Sequence, residues 1–365
     1  MKRLTALLVI LCLLLCACAK KPDTTAESTE NTQPSTTEET QTETEPTQPT
    51  QPTETEPALI LYRHPLTGEA LDEPWIGSVT AAVINNSSSA MPQCGISQAD
   101  IICEMEAEGG ITRCLALFTD LSEVEKIGPI RSDRTGLNSL AAAFNGIIVH
   151  CGGSDFALNG QYGENGWIEN WKHIDEMAYG SYFFRDKDRQ KAGYAYEHTL
   201  FTKGELLQQV LEKTGLDIPV DKSGDLQFQE GIDLKGEQAE EVAVTFKGAK
   251  KSTFVYDSAT GLYKMNQYGK GNIDGNTGKT VTFKNLLVIC VDQWLARDGV
   301  HVFYESVGYG EGYAAVNGKI VPIIWDRADV YSPFTFTLAD GSPLLLDVGS
   351  TYFAMSGAKN PISYQ

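Results

Sequence analysis

The sequence predicts an α+β protein in which an N-terminal α+β domain is followed by a β-rich C-terminal domain. Three observations lead there. Gly109-Gly110 separates two strand-like runs, which is a hairpin signal. Helix-like segments at 135–144 and from Thr202 onward are interleaved with strands before residue 214. Beyond 215, seven strand-like runs follow one another between Gly, Asn and Asp turns, with no long helical pattern. A length of 365 residues suits two folded units with extra segments, and 42% hydrophobic residues allow a core.

The chain opens with Lys2 and Arg3, then a 14-residue run at 4–17 in which only Thr5 is polar. A membrane-spanning helix needs about 20 apolar residues, so the run reads as a signal peptide over 1–17. It ends Leu15-Cys16-Ala17-Cys18, which resembles the lipobox of bacterial lipoproteins. That resemblance implies cleavage before Cys18 and lipidation of Cys18, placing the protein on the outer face of the cell membrane as a lipid-anchored chain. Residues 18–57 are Thr, Glu, Gln and Pro with almost no large apolar side chain, a composition expected to be a disordered tether. Such a segment spans roughly 35 Å r.m.s..

The formal net charge is −19, from 29 basic and 48 acidic residues. The signal carries +2 and the tether −7, which leaves −14 on the folded part. A surface this acidic repels phosphate backbones, so no nucleic-acid partner is expected.

In the N-terminal domain, 58–214, residues 79–85 read as a buried strand, and 101–108 and 111–119 as the arms of the hairpin. Ile101, Cys103, Met105 and Ala107 fall on one face of the first arm, and Glu104, Glu106 and Glu108 on the other. A two-residue loop pairs Glu106 with Arg113. A helix at 135–144 and a strand at 146–151 follow. Thr202 with Glu205 forms a capping box for a helix that Gly215 ends. In the β-rich domain, 215–365, strands are expected at 242–246, 252–256, 262–266, 285–291, 300–307, 313–316 and 319–325. Five cysteines remain in the folded part, Cys94, Cys103, Cys114, Cys151 and Cys290, an odd number without any Cys-x-x-Cys, so buried free thiols are expected.

Several segments form a recognisable series: Pro65-Leu66-Thr67-Gly68, Ala82-Val83-Ile84-Asn85-Asn86, Pro92-Gln93, Gly95-Ile96-Ser97-Gln98-Ala99-Asp100-Ile101, Glu108-Gly109-Gly110-Ile111-Thr112-Arg113, Ile127-Gly128-Pro129-Ile130-Arg131-Ser132, His150 and Gly152-Gly153-Ser154. Gly278-Lys279-Thr280, Gly308 to Gly312, Asn317-Gly318-Lys319 and Trp325 continue it. Over nearly all of residues 58–355 the chain resembles the YerB-like bacterial lipoprotein family. Cys94 and Cys103 depart locally from its pattern. The resemblance implies an exported, membrane-anchored, two-domain protein. It implies no activity, because the family has none agreed.

Motifs for known chemistry fail on inspection. Gly278-Lys279-Thr280 has Ile273 where a phosphate loop needs glycine. Gly308 to Gly312 reads as a turn between strands and not as a dinucleotide fingerprint. Ser356 and Lys359 mimic a Ser-x-x-Lys pair at a frayed C-terminus. Asp186 and Asp188 lack the glycine of a calcium loop, Lys191 standing in its place. His150, His173 and His198 are too scattered to predict a metal site. No metal and no cofactor is expected.

Two clusters carry the functional expectation. Arg113, Arg131 and Arg134 gather near a hairpin and a helix start and are candidate anion-binding residues. The bland alternative is a structural network with Glu104, Glu106, Glu108 or Asp133. Arg131 is the one expected to serve an outside anion. His150 and Ser154 are candidate catalytic residues at a strand–turn–helix junction, with Ser154 as a helix cap the bland alternative. The leading expectation is a non-catalytic protein that binds a cell-envelope ligand: a wall glycan, a peptide or a protein partner. Trp167, Trp171, Tyr304, Tyr309 and Tyr313 are possible contact aromatics. The alternatives are an extracytoplasmic hydrolase or transferase, acting through His150 and Ser154 or an arginine-lined site, and a scaffold without a pocket.

Overall fold

The computed structural model describes residues 62–158, 171–220, 224–248 and 250–365. The signal, Cys18, the tether and Trp167 lie outside the described residues.

The hairpin builds the centre. Strands β1 (Val79–Asn85), β2 (Ile101–Glu108) and β3 (Ile111–Phe118) lie side by side, with β3 between the other two. Gly109 and Gly110 turn the chain at φ 59° and 75°, a conformation that side chains with a Cβ resist. Glu108 faces Ile111 as the two-residue loop requires, but a bulge at Ala107 then shifts the register by one. Arg113 lies opposite Met105, and Glu106 opposite Thr112. The expected Glu106–Arg113 pair is therefore absent. Glu106 accepts the Gly248 N–H at 2.7 Å, and Arg113 reaches Glu108 at 2.6 Å.

Helix α1 (Thr135–Ala143) leads into β4 (Gly146–His150), which joins β1 in parallel, and β5 (His173–Asp175) joins β4 in parallel. A short helix α2 (Asp155–Leu158) follows β4, and α3 (Gly204–Thr214) ends on Gly215 at φ 67°, as its sequence signal indicated. The start of α3 departs from expectation. Thr202 is engaged in a bridge with Ile127, and its hydroxyl donates to the Tyr182 carbonyl, so Lys203 takes the cap position without a side-chain bond. Gly204 is required there because a Cβ would lie 1.9 Å from the Leu121 carbonyl oxygen.

The second half supplies β6 (Glu241–Thr245), β7 (Lys251–Asp257), β8 (Leu262–Gln267), β9 (Asn285–Cys290), β10 (Gly308–Val316), β11 (Lys319–Arg327) and β12 (Thr351–Ser356). The Gly-x-Gly-x-Gly run at 308–312 is strand, not turn. Trp325 packs over it so closely that a Cβ on Gly310 would sit 2.7 Å from the ring. The turn comes later, at Asn317-Gly318, both at positive φ. The expected strand at 300–307 is reduced to Val302–Tyr304, paired with Gln293–Leu295.

β12 was not foreseen, and it joins the two halves. It runs parallel to β9 on one side and to β2 on the other. One sheet of eleven strands results, in the order Glu237–Gln238, β11, β10, β9, β12, β2, β3, β1, β4, β5, with Thr335–Thr337 also on β11. Leu59–Gln365 form one compact unit, and the sequence boundary at 214/215 is no break in this sheet. Ser356, expected in a frayed end, is buried and donates to the Thr245 carbonyl at 2.8 Å. Among the described residues strands far outnumber helices.

A six-stranded sheet around β6, β7 and β8 packs on one face of the large sheet, where Phe254, Phe283 and Tyr352 meet. Helix α3 contributes Leu207, Val210 and Leu211 to the same core. On the opposite face Leu137 and Leu140 of α1 and Phe334 form a core with the sheet's own Trp325, Phe336 and Phe353. Cys94, Cys103, Cys114, Cys151 and Cys290 are all free thiols, the first three of them buried.

Candidate anion-binding site

The segment that carries Arg131 is pinned from three sides. Asn85 N–H donates to Pro129 and Arg131 N–H to Val83, which lays residues 129–131 along the end of β1. Ile130 is buried and donates its N–H to Leu200, and Cys151 N–H donates to the Arg131 carbonyl. The base of Arg131 is thus fixed while its side chain stays half-buried.

The three candidate arginines divide sharply. Glu108 takes two of them. Arg113 donates to its Oε1 at 2.6 Å, and Arg134 donates through Nε to Oε2 at 2.7 Å and through Nη2 to Oε1 at 2.8 Å. Their remaining bonds go to backbone carbonyls, Arg113 to Ser132 and Arg134 to Asp133, each at 2.6 Å. Burial and the neighbouring Arg134 charge push the Arg113 pKa down to about 9, against the pull of Glu108. Burial would raise the Glu108 pKa, but the Arg134 hydrogen bonds and the two arginine charges outweigh it and hold that pKa below the ordinary range. The side chain of Arg131, among the described residues, makes no hydrogen bond and no ion pair. Its charge instead bears on its neighbours: it helps keep His198, whose pKa burial already lowers, in the neutral form.

Asp133 sits behind the pair, fully buried. Its Oδ1 accepts the Arg134 N–H at 2.7 Å, and its Oδ2 has no hydrogen-bond partner. Burial raises its pKa to about 7, the arginines only partly opposing this. A carboxyl whose folded pKa exceeds the ordinary value of about 4 binds its proton more tightly when folded. Its contribution therefore makes stability fall as pH rises from about 4 to the folded value of about 7. Asp133→Asn keeps the acceptor and removes the charge. At pH 8 it should be more stable than the parent by on the order of 2–4 kcal/mol, a gain that shrinks toward pH 5. Thermal melts at the two pH values check this.

His150 and Ser154 are not brought together as a catalytic pair. His150 is fully buried, with Nδ1 2.8 Å from the Gly152 carbonyl and Nε2 3.0 Å from His173 Nδ1, so both ring nitrogens are engaged. Burial lowers its pKa against the pull of Asp175. Ser154 is buried, and its Oγ caps α2 by accepting the Ala157 N–H at 3.2 Å. Cys151, next to His150, donates to Glu176 at 3.2 Å, and burial with that bond pushes its pKa up to about 12, the reverse of an activated nucleophile. No group of three His, Cys, Asp or Glu side chains able to hold a metal is found among the described residues. Of the candidate aromatics, Trp171 and Tyr304 spend their polar atoms on the carbonyls of Gly146 and Glu106. Tyr309 is exposed and Tyr313 half-buried.

Sequence reasoning missed a second polar centre. Glu104 is fully buried between the two sheets and ion-paired with Lys250. It also accepts from Thr112 at 2.6 Å and from Asn86, Ser252 and Tyr352 at 2.8 Å each. Burial alone would raise its pKa; the Lys250 charge and these bonds overcome that and hold it below the ordinary range. One signal was available. β3 is apolar on both faces from Cys114 to Phe118, so the hairpin had to be covered on both, and Glu104 had to find a partner inside.

Two family models match the chain, the N-terminal domain of a protein of unknown function (DUF3048) over residues 66–217 and its C-terminal domain over residues 242–353. YerB of Bacillus subtilis (strain 168), described as a candidate lipoprotein, is 30% identical over 261 residues, which cover 67% of this chain and 75% of that one. The crystal structure of the Bacillus subtilis YerB protein superposes with a TM-score of 0.70 at 25% identity, covering 83% of this chain and 99% of that one. Among the described residues, no helix is long and apolar enough to cross a membrane.

Proposed function

The chain belongs to the YerB-like DUF3048 family, and from that premise we propose that it is a lipid-anchored extracytoplasmic protein that binds an anionic cell-envelope ligand without catalysing a reaction on it. Cys18 carries the lipid in this reading, and residues 18–57 let the folded part stand off the outer face of the membrane. The observation that carries the binding role is the contrast among the arginines. Glu108 and backbone carbonyls absorb Arg113 and Arg134, while Arg131, on a backbone fixed by β1, Leu200 and Cys151, keeps an unpaired guanidinium. Holding an unpaired cation half-buried beside two others is unfavourable unless an anion completes it. A wall-peptide carboxylate or the phosphate of an envelope polymer supplies that group. Titration of the full chain with a carboxylate-bearing wall peptide and with a poly(glycerol phosphate) tests this. Arg131→Ala should weaken binding by about 1.5–3 kcal/mol, the worth of a charge-assisted hydrogen bond. Binding by neither compound, or equal binding by the variant, would count against the site.

A further inference from the structure

A cleft of about 690 Å³ opens where the tip of the β2–β3 hairpin meets the serine turn at 87–89 and the six-stranded sheet. We propose that this cleft is a second binding site, for an uncharged stretch of glycan, going beyond the anion-binding role of Arg131. Four features of its walls lead to that ligand class.

Tyr268 is the first. It occupies a two-residue turn with Gly269 at φ 53°, a left-handed conformation that glycine or asparagine adopts at far less cost than an aromatic residue. Strain of this kind is retained where a side chain is needed in a set position. The second feature is how that ring is held. Its hydroxyl donates to the Asn86 carbonyl, and Lys250 lies 5.8 Å from the ring centroid, yet 41% of the residue remains exposed at the cleft. A fixed, partly open aromatic ring offers an apolar platform at little entropy cost.

The third feature is unspent hydrogen-bonding capacity. The side chains of Ser88, Thr253 and Asn266 line the cleft and, among the described residues, make no hydrogen bond within the protein. The fourth is charge. Glu104 neutralises Lys250, leaving Lys251 as the wall's free cation, so the lining is rich in hydroxyl and amide groups and poor in net charge. A sugar ring matches this pattern, with C–H bonds on its face for Tyr268 and hydroxyls on its rim for the serine, threonine and asparagine groups. Ile111, also exposed, adds apolar surface on the hairpin side.

The test is calorimetric titration of the full chain with the N-acetylglucosamine tetramer, which carries no anion and therefore does not depend on the Arg131 reading. The expected result is saturable binding that falls about tenfold or more in Tyr268→Ala, while Tyr268→Phe, which keeps the ring, loses much less. Asn266→Ala, at a position that spends no bond inside the protein, should also weaken binding and leave the melting temperature unchanged, which separates loss of the site from loss of the fold. Failure of the parent to bind the tetramer overturns the proposal, as does undiminished binding by both Tyr268→Ala and Asn266→Ala.

Discussion

Glu104→Ala is expected to destabilise the protein by about 3–5 kcal/mol, because it strands the Lys250 ammonium between two sheets with no counter-charge. The loss reaches beyond the pair. Thr112, Asn86, Ser252 and Tyr352 all direct hydrogen bonds at this carboxylate and would each be left with an unmet buried group. Lys250→Met alone should cost a similar amount by baring the carboxylate. Replacing both by Leu and Met removes the uncompensated charge and should recover part of the loss, but not the share due to the four hydrogen-bond groups stranded around residue 104. Urea midpoints of the two single variants and the double variant measure it. If the double variant is no better than the worse single, the cost lies in lost hydrogen bonds and packing and not in an uncompensated charge.

Glu108→Ala comes next, at about 2–3 kcal/mol, discounted because this carboxylate is a quarter exposed and solvent screens it. Its removal leaves Arg113 and Arg134 with only backbone carbonyls and with each other's charge close by. Glu108→Gln should recover part of the loss through its oxygen, at most one acceptor for two guanidiniums. Melting temperatures of the two variants, compared with the parent, settle the order. An effect below about 0.5 kcal/mol for Glu108→Ala, ordinary for a surface site, would mean that the clamp is ornamental.

Much of the fold could be read from local pattern. The boundaries of β1, β2 and β3, the two-glycine turn and the glycine end of α3 followed from short-range chemistry that the rest of the chain did not override. What escaped was long-range. β12 was not recognised as a strand, and its parallel neighbours β2 and β9 are about 250 and 65 residues away in sequence, a pairing that no turn signal announces. The bulge at Ala107 changed the partner of Arg113 from Glu106 to Glu108, and nothing in the alternation of that strand marks where the extra residue falls. Thr202 shows the same limit: a capping box is present in sequence, but the Tyr182 carbonyl competes for the hydroxyl and wins. The arginine cluster was visible as a cluster. Its division into a clamped pair and one unpaired residue depended on which carboxylate lay within reach, and that only the register decides.

If Arg131 is kept for a ligand and not for the fold, its loss should be felt only when the ligand is present. The most direct measurement is the melting temperature of the parent and of Arg131→Ala, each alone and with a saturating anionic wall fragment. Without ligand the variant should melt no lower than the parent, since this side chain makes no bond whose loss the fold would feel and its removal relieves the charge repulsion on Arg113. With ligand at a hundredfold excess over Kd the parent should gain about 2.7 kcal/mol of stability, seen as a higher melting temperature, and the variant much less. If Arg131→Ala instead melts far below the parent and no anion stabilises either protein, Arg131 is a structural residue and the site does not exist.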